Sequence, residues 1–244
     1  MKKIFVFAPH QDDEAFSCAG SIAKQIQEGY EVYIHFMTDG RLGHTPFTEN
    51  MTDAELAKVR MKEALEAAKV MGVQKDHVIF YGYHDQSLGK MKFHDEIVSR
   101  LVDSISKQKP DLIYLAITNY QHQDHLAMYF LVFEALDQAK YRADIRVSIP
   151  KGFMSMVRPA PNNAEIQQKF KHIKETFPVE NKIEIDISDT ISQKRDAIKA
   201  HETQMGMFSN LIDPDDDFED ILGEIFEDVY KDRKESFEVR KLVL

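Results

Sequence analysis

The sequence predicts an α/β protein with a doubly wound, mostly parallel sheet, and three observations predict it. Short apolar runs such as Ile4-Phe5-Val6-Phe7 alternate with longer segments of helical period. The connections between them suit strand–helix–strand crossovers. Finally, the most chemically unusual residues follow the first and fourth apolar runs, at the strand ends where open parallel sheets bind ligands.

The elements follow in order. Ile4 to Phe7 reads as a fully buried strand, and Ala15 to Glu28 as a helix closed by Gly29. Glu31 to Met37 is a second strand with Thr38-Asp39-Gly40 as its exit turn. Thr52-Asp53-Ala54-Glu55 is a capping box that opens a long helix ending near Met71, before Gly72. His77 to Tyr81 is a third strand, followed by the polar loop His84-Asp85-Gln86-Ser87. A helix from His94 to Ser106 stops before Pro110, Asp111 to Ile117 is the fourth strand, and Leu126 to Ala139 is helical. Beyond Asp144 the pattern predicts strands at Ile145 to Ile149 and Lys182 to Ile187, then a helix from Asp189 to Gln204. An acidic helix from Pro214 onward and a last strand near Phe237 to Leu242 complete a Rossmann-like arrangement with helices on both faces.

The 244 residues are 43% apolar and show no repeat, low-complexity stretch or linker. One domain over residues 1–244 is therefore expected, with the acidic C-terminal segment at about 213–244. The net charge is −10, and residues 213–238 hold 12 acids against three bases, so the rest is nearly neutral. This argues against a nucleic-acid binder, which needs a basic excess. Cys18 is the single cysteine, which rules out an intrachain disulfide and a thiolate-rich zinc site. Met1-Lys2-Lys3 leads into a strand rather than a secretion signal, and no run approaches ~18 apolar residues. A cytoplasmic protein without membrane contact is the expectation.

The chemistry lies in Pro9-His10-Gln11-Asp12-Asp13-Glu14 and His122-Gln123-Asp124-His125. Three adjacent carboxylates repel one another unless a cation or the positive end of a helix compensates them. Two imidazoles and one carboxylate give a three-ligand site with an open position, as in catalytic zinc centres. On that reading His10, Asp13 and His125 are ligands, and Asp12 is free to act as general base. Without a metal, Asp12 or Asp13 would cap the following helix, and His122 and His125 would be polar residues at a helix start. A receiver-type magnesium pocket fits less well, since magnesium prefers oxygen to imidazole. The other histidines have no distinguishing partners in sequence, and for His201 and Gln204, one turn apart on their expected helix, packing and pocket roles are equally open.

These motifs resemble those of the LmbE-like, PIG-L-type zinc-dependent N-acetylglucosaminyl deacetylases, marked by Ala/Pro-His-Pro-Asp-Asp-Glu after the first strand and His-Pro-Asp-His further on. Thr38-Asp39-Gly40, Arg60-Met61-Lys62-Glu63-Ala64, Asp85 and Ala200-His201-Glu202-Thr203-Gln204 extend the similarity across most of residues 3–205. The resemblance implies the same ligands, His10, Asp13 and His125, for zinc, with ferrous iron as the alternative ion. It implies Asp12 as general base, His122 as the imidazole that stabilises the developing oxyanion, and Asp124 as the group orienting it. Arg60 and Asp85 align with positions that hold sugar hydroxyls. Gln11 and Gln123 replace the family's prolines, so the turns lose a preset φ and two amides are expected to line the pocket.

The function implied is hydrolysis of an N-acetyl group from an N-acetylglucosamine-type sugar or conjugate by a metal-activated water. The alternatives are an N-acyl hydrolase of non-sugar amides and a non-catalytic metal- or sugar-binding protein. The partner expected is a small N-acetylated sugar, with a homo-oligomer left open.

Overall fold

The computed structural model describes residues 1–117, 122–149, 164–207 and 233–242. The acidic helix expected from Pro214 lies outside the described residues.

Strand β1 (Lys3–Ala8) is apolar on both faces, as a central parallel strand must be. Ile4, Val6 and Ala8 join one core, and Phe5 and Phe7 join another on the opposite face. It pairs in parallel with β2 (Glu31–Thr38) on one side and β4 (Leu112–Leu115) on the other. With β3 (Val78–Tyr83), β5 (Asp144–Ser148), β6 (Val179–Asp186) and β7 (Lys234–Arg240), the sheet has the order β3-β2-β1-β4-β5-β7-β6. The first five are parallel, whereas β7 runs antiparallel to both β5 and β6. The chain winds outward from β1 to β3 and then crosses back to β4. The switch point therefore lies between β1 and β4, where crevices form in doubly wound sheets.

Helices α1 (Asp13–Gln27), α2 (Asp53–Met71) and α6 (Ile191–Lys199) cover the first core. Their contacts are rich in alanine: Ala15, Ala19, Ala64, Ala67, Ala68 and Ala197 are all buried there, which lets the helices approach closely. Thr52 and Glu55 form the expected capping box on α2, and Gly72 ends it at φ 90°, a conformation that glycine adopts without a Cβ penalty. Helices α3 (Met91–Gln108) and α4 (Gln123–Ala139) cover the opposite core. Helix α5 (Ala164–Thr176), which the sequence pattern did not reveal, adds Ile173 to that core. No described helix is long and apolar enough to cross a membrane.

The single helix expected from Asp189 to Gln204 is a correction. A 3₁₀ turn (Ser188–Thr190) leads into α6, and the chain breaks before a one-turn helix α7 (Glu202–Met205). The break falls at His201, whose ψ of 56° is non-helical and whose ring is committed to Glu14, 2.7 Å away.

His35 on β2 is fully buried between Phe5 and Phe7, with ring centroids 4.4 and 4.8 Å away. Burial lowers its pKa to about 3, so it stays neutral in the fold. Below the unfolded value of about 6.5 the unfolded chain binds a proton that the folded one refuses. This contribution is complete above pH ~6.5 and is lost as pH falls toward 3, by up to about 5 kcal/mol. Urea unfolding at pH 7 and 4.5 should show a smaller pH-dependent loss in His35→Phe than in the wild type. Equal losses would rule His35 out as the cause.

Candidate active site

The residues after β1 form a tight polar turn. The Gln11 side-chain amide donates to the Thr38 carbonyl at 2.7 Å, and the Thr38 hydroxyl donates to the Pro9 carbonyl at 2.9 Å, so the exits of β1 and β2 are tied together. Asp12 takes φ 143°, a region costly for any residue with a Cβ, by roughly 1–3 kcal/mol. It is held there from two sides. Its N–H donates to Glu14 Oε2 at 3.0 Å, and its carboxylate lies 3.3 Å from Arg60 Nη2. Asp12 occupies the N-cap position of α1 but its side chain makes no capping hydrogen bond, so the helix-cap alternative does not describe what this carboxylate does.

The switch point brings the second motif to the first. His122 is the N-cap of α4, its Nδ1 accepting from the Asp124 N–H at 3.3 Å, and His125 sits one turn in. The ring centroids of His10, His122 and His125 lie 4.7 to 5.2 Å apart, and their ligand atoms fall within 4.8 Å of one another. Asp13 Oδ2 stands 3.3 Å from His10 Nδ1 and 3.4 Å from His125 Nε2. Donors bonded at about 2.0–2.2 Å to one tetrahedral ion are separated by roughly 3.4 Å, which the Asp13–His10 and Asp13–His125 separations match. His10, Asp12, Asp13, Asp85, Asp124 and His125 are all buried, and this concentration of carboxylates also suits a bound cation.

The face of His10 turned away from Asp13 is held by other carboxylates. Its Nε2 lies 3.2 Å from Asp85 Oδ1 and 3.3 Å from Asp124 Oδ2. Both are fixed in turn, Asp85 by the Leu42 N–H, and Asp124 by the N–H groups of Gln86 at 2.6 Å and Leu88 at 3.0 Å. A proton kept on Nε2 leaves the Nδ1 lone pair for a metal, the usual carboxylate–histidine–metal arrangement. The Asp124 carboxylate contacts His10 while its N–H donates to His122 Nδ1, and the Asp85 carboxylate faces His10.

Arg60 is buried beneath the site, donating to the Gly40 carbonyl at 2.9 Å and the Gln11 carbonyl at 2.6 Å. Gly40 (φ 62°) has no room for a Cβ, which would collide with Gln11 and Arg60. Its guanidinium is engaged by the turn and lies against the Asp12 carboxylate. Gln11 is also fully buried, so of the two expected pocket amides only Gln123 faces solvent, with its amide 3.3 Å from the Gln86 side-chain oxygen. Gln123 is the first residue of α4, a position whose N–H needs no intrahelical partner. Proline and glutamine are therefore both tolerated there.

His201 is the member that sequence left undecided. It is fully buried, bonds Glu14, and so supports the group that holds the Asp12 N–H. Burial lowers its pKa, but the Glu14 carboxylate outweighs this and the net shift is upward. Its position in an Ala-His-Glu-Thr-Gln segment matching the family was the only signal that could have identified it.

The electrostatics separate the site's groups. Burial pushes Asp12 up to about 7, against the opposing pull of Arg60 and with help from Asp13. Burial lowers His125 to about 4, keeping its imidazole neutral and able to donate a lone pair. His122 is lowered by burial and by His10. For His10, burial is outweighed by hydrogen bonds to Asp124, Asp13 and Asp85, and its pKa rises.

Known proteins share this arrangement of sequence and fold. A diacetylchitobiose deacetylase of Thermococcus kodakarensis is 26% identical over 208 residues, covering 84% of this chain and 70% of that protein. A probable N-acetyl-alpha-D-glucosaminyl L-malate deacetylase 2 of Bacillus subtilis is 27% identical over 218 residues, covering 85% and 86%. The solved N,N'-diacetylchitobiose deacetylase from Pyrococcus horikoshii superimposes with a TM-score of 0.66 at 24% identity, over 98% of this chain and 83% of that one. The family model for PIG-L, GlcNAc-PI de-N-acetylase, matches residues 5–136, from β1 through both motifs and most of α4, and the chain belongs to the PIG-L family.

Proposed function

We propose that the protein is a metal-dependent N-deacetylase that hydrolyses the acetamide of an N-acetylglucosamine-type sugar or conjugate. The observation that carries this reading is Asp13 Oδ2 standing against both His10 Nδ1 and His125 Nε2, with His122 clustered on the same two imidazoles and Asp12 adjacent in the chain. The relatives named for N-acetylated sugars support the substrate class.

His10, Asp13 and His125 would hold the ion, zinc or ferrous iron. When bound, zinc lowers the pKa of water to about 7 and polarises a carbonyl. Asp12 takes the proton of the attacking water and later delivers it to the leaving amine, a shuttle suited to a carboxylate poised near neutrality. Arg60 and Glu14 keep that carboxylate and its strained backbone in place while the proton moves. His122, kept neutral by burial and by His10 and with Nδ1 accepting from the Asp124 N–H, would donate its Nε2–H to the oxyanion, a contact typically worth about 3–4 kcal/mol of barrier. Asp85 and Asp124 keep His10 in the tautomer that leaves Nδ1 unprotonated.

The direct test is acetate release from N-acetylglucosamine, diacetylchitobiose and non-sugar acetamides, with and without a chelator. Turnover of the sugars that stops on chelation and returns with zinc or ferrous iron supports the reading. Preferential turnover of non-sugar amides moves the activity to the N-acyl hydrolase class, and metal binding without hydrolysis of any amide leaves a binding protein. Asp124→Asn should weaken metal affinity about 10–100-fold through His10, measured by chelator competition. Unchanged affinity would remove Asp124 from the His10 support.

A further inference from the structure

Helix α1 is broken near its middle: Cys18 has φ −149° and ψ 16°, far from helical values. In a regular helix the Gly20 N–H would meet the Phe16 carbonyl. Here two buried side chains stand at that step. Gly20 N–H donates to Glu235 Oε1 at 3.1 Å and Ser21 N–H to Glu235 Oε2 at 2.8 Å. On the other side of the break, Lys194 Nζ donates to the carbonyls of Ala15 at 3.0 Å and Phe16 at 2.9 Å. Lys194 and Glu235 join each other at 2.7 Å, and their side chains are 1% and 3% exposed. All three ammonium hydrogens thus have acceptors, and both carboxylate oxygens are used.

We propose that the Lys194–Glu235 pair is a positioning device for the metal motif, splicing the two halves of α1 so that its first turns meet the end of β1 at a fixed angle. Those turns carry Asp13 and Glu14, and the break leaves their direction unset by the rest of the helix. Stability alone does not call for a buried ion pair, because well-packed apolar residues often replace one without loss. What apolar residues cannot do is satisfy the four backbone groups at the break. Close packing keeps the second half in place, since a Cβ on Gly20 would come within 2.9 Å of Ile187. The first half therefore moves when the splice is removed. This inference rests on the metal-site reading above.

The test uses the full chain and zinc as the probe. Zinc dissociation constants from chelator competition, with kcat and KM for acetate release, are compared for wild type, Lys194→Met/Glu235→Leu, Glu235→Gln and Phe237→Leu. Phe237 on β7 packs on Tyr114 and serves as a core control that leaves the Lys194 and Glu235 side chains themselves in place. The double variant should bind zinc 10–100-fold more weakly, as when support around a ligand is lost, with kcat reduced and KM unchanged. Phe237→Leu should keep wild-type zinc affinity despite an equal or larger fall in melting temperature. Glu235→Gln must shift the same way and decides the matter if the double variant does not fold. Wild-type affinity in a folded splice variant, or a parallel loss in Phe237→Leu, overturns the positioning role. A wild type that takes up no zinc overturns the metal-site reading and the positioning role together.

Discussion

Asp12→Asn should retain the metal and lose about 10²–10⁴-fold in turnover, the range a general base contributes. Asparagine is the right replacement because it keeps the side-chain shape and leaves the Asp12 N–H bond to Glu14, which holds the φ 143° turn, untouched. It cannot take the water's proton, and Asp13, the adjacent ligand candidate, is left unchanged. The variant should contain the same amount of metal as the wild type by elemental analysis while acetate release collapses. Near-normal turnover would show that Asp12 is not the base, and Arg60 and Glu14 would then be holding it only for structure.

His125→Ala has the second large effect, on affinity rather than on the chemical step. His125 is neutral because burial lowers its pKa to about 4, and it faces Asp13 Oδ2 at 3.4 Å. Removing a direct donor should cost more than the about 10–100-fold typical of supporting groups. The purified variant should carry almost no transition metal, and the wild type should carry about one ion per chain, without metal being added. If metal content and affinity match the wild type, the ligand set must be redrawn, with His122 taking the third position beside His10.

Much of this was legible in the sequence because it rests on local signals. β1, β2 and β4 are short apolar runs that a buried parallel strand requires, and the capping box at Thr52 marks the start of α2 without reference to tertiary structure. The convergence of His10 with His122 and His125 followed from both motifs lying at carboxyl ends on either side of the switch point. What was not legible depends on contacts far apart in the chain. The break at His201 exists because Glu14, distant in sequence, claims its ring, while the local pattern remains helical. The duties of Arg60, Asp85 and Asp124 depend on which way each side chain turns within a buried cluster, which residue type and spacing do not specify. Helix α5 escaped because only Ile173 along it is buried, too thin a stripe to stand out.

The insertion of β7 between β5 and β6 sets an order on assembly. During synthesis, β1 through β5 emerge first and can pair as a parallel sheet, but the outer edge of β5 stays unsatisfied until a strand from far along the chain arrives. Until then β6 has no place in the sheet, since its partner there is β7. Such long-range closure is slow and leaves an open edge able to recruit other chains. The nascent protein therefore passes through an adhesive stage, and a ribosome stalled before residue 233 would release a species prone to aggregate rather than a weakened enzyme.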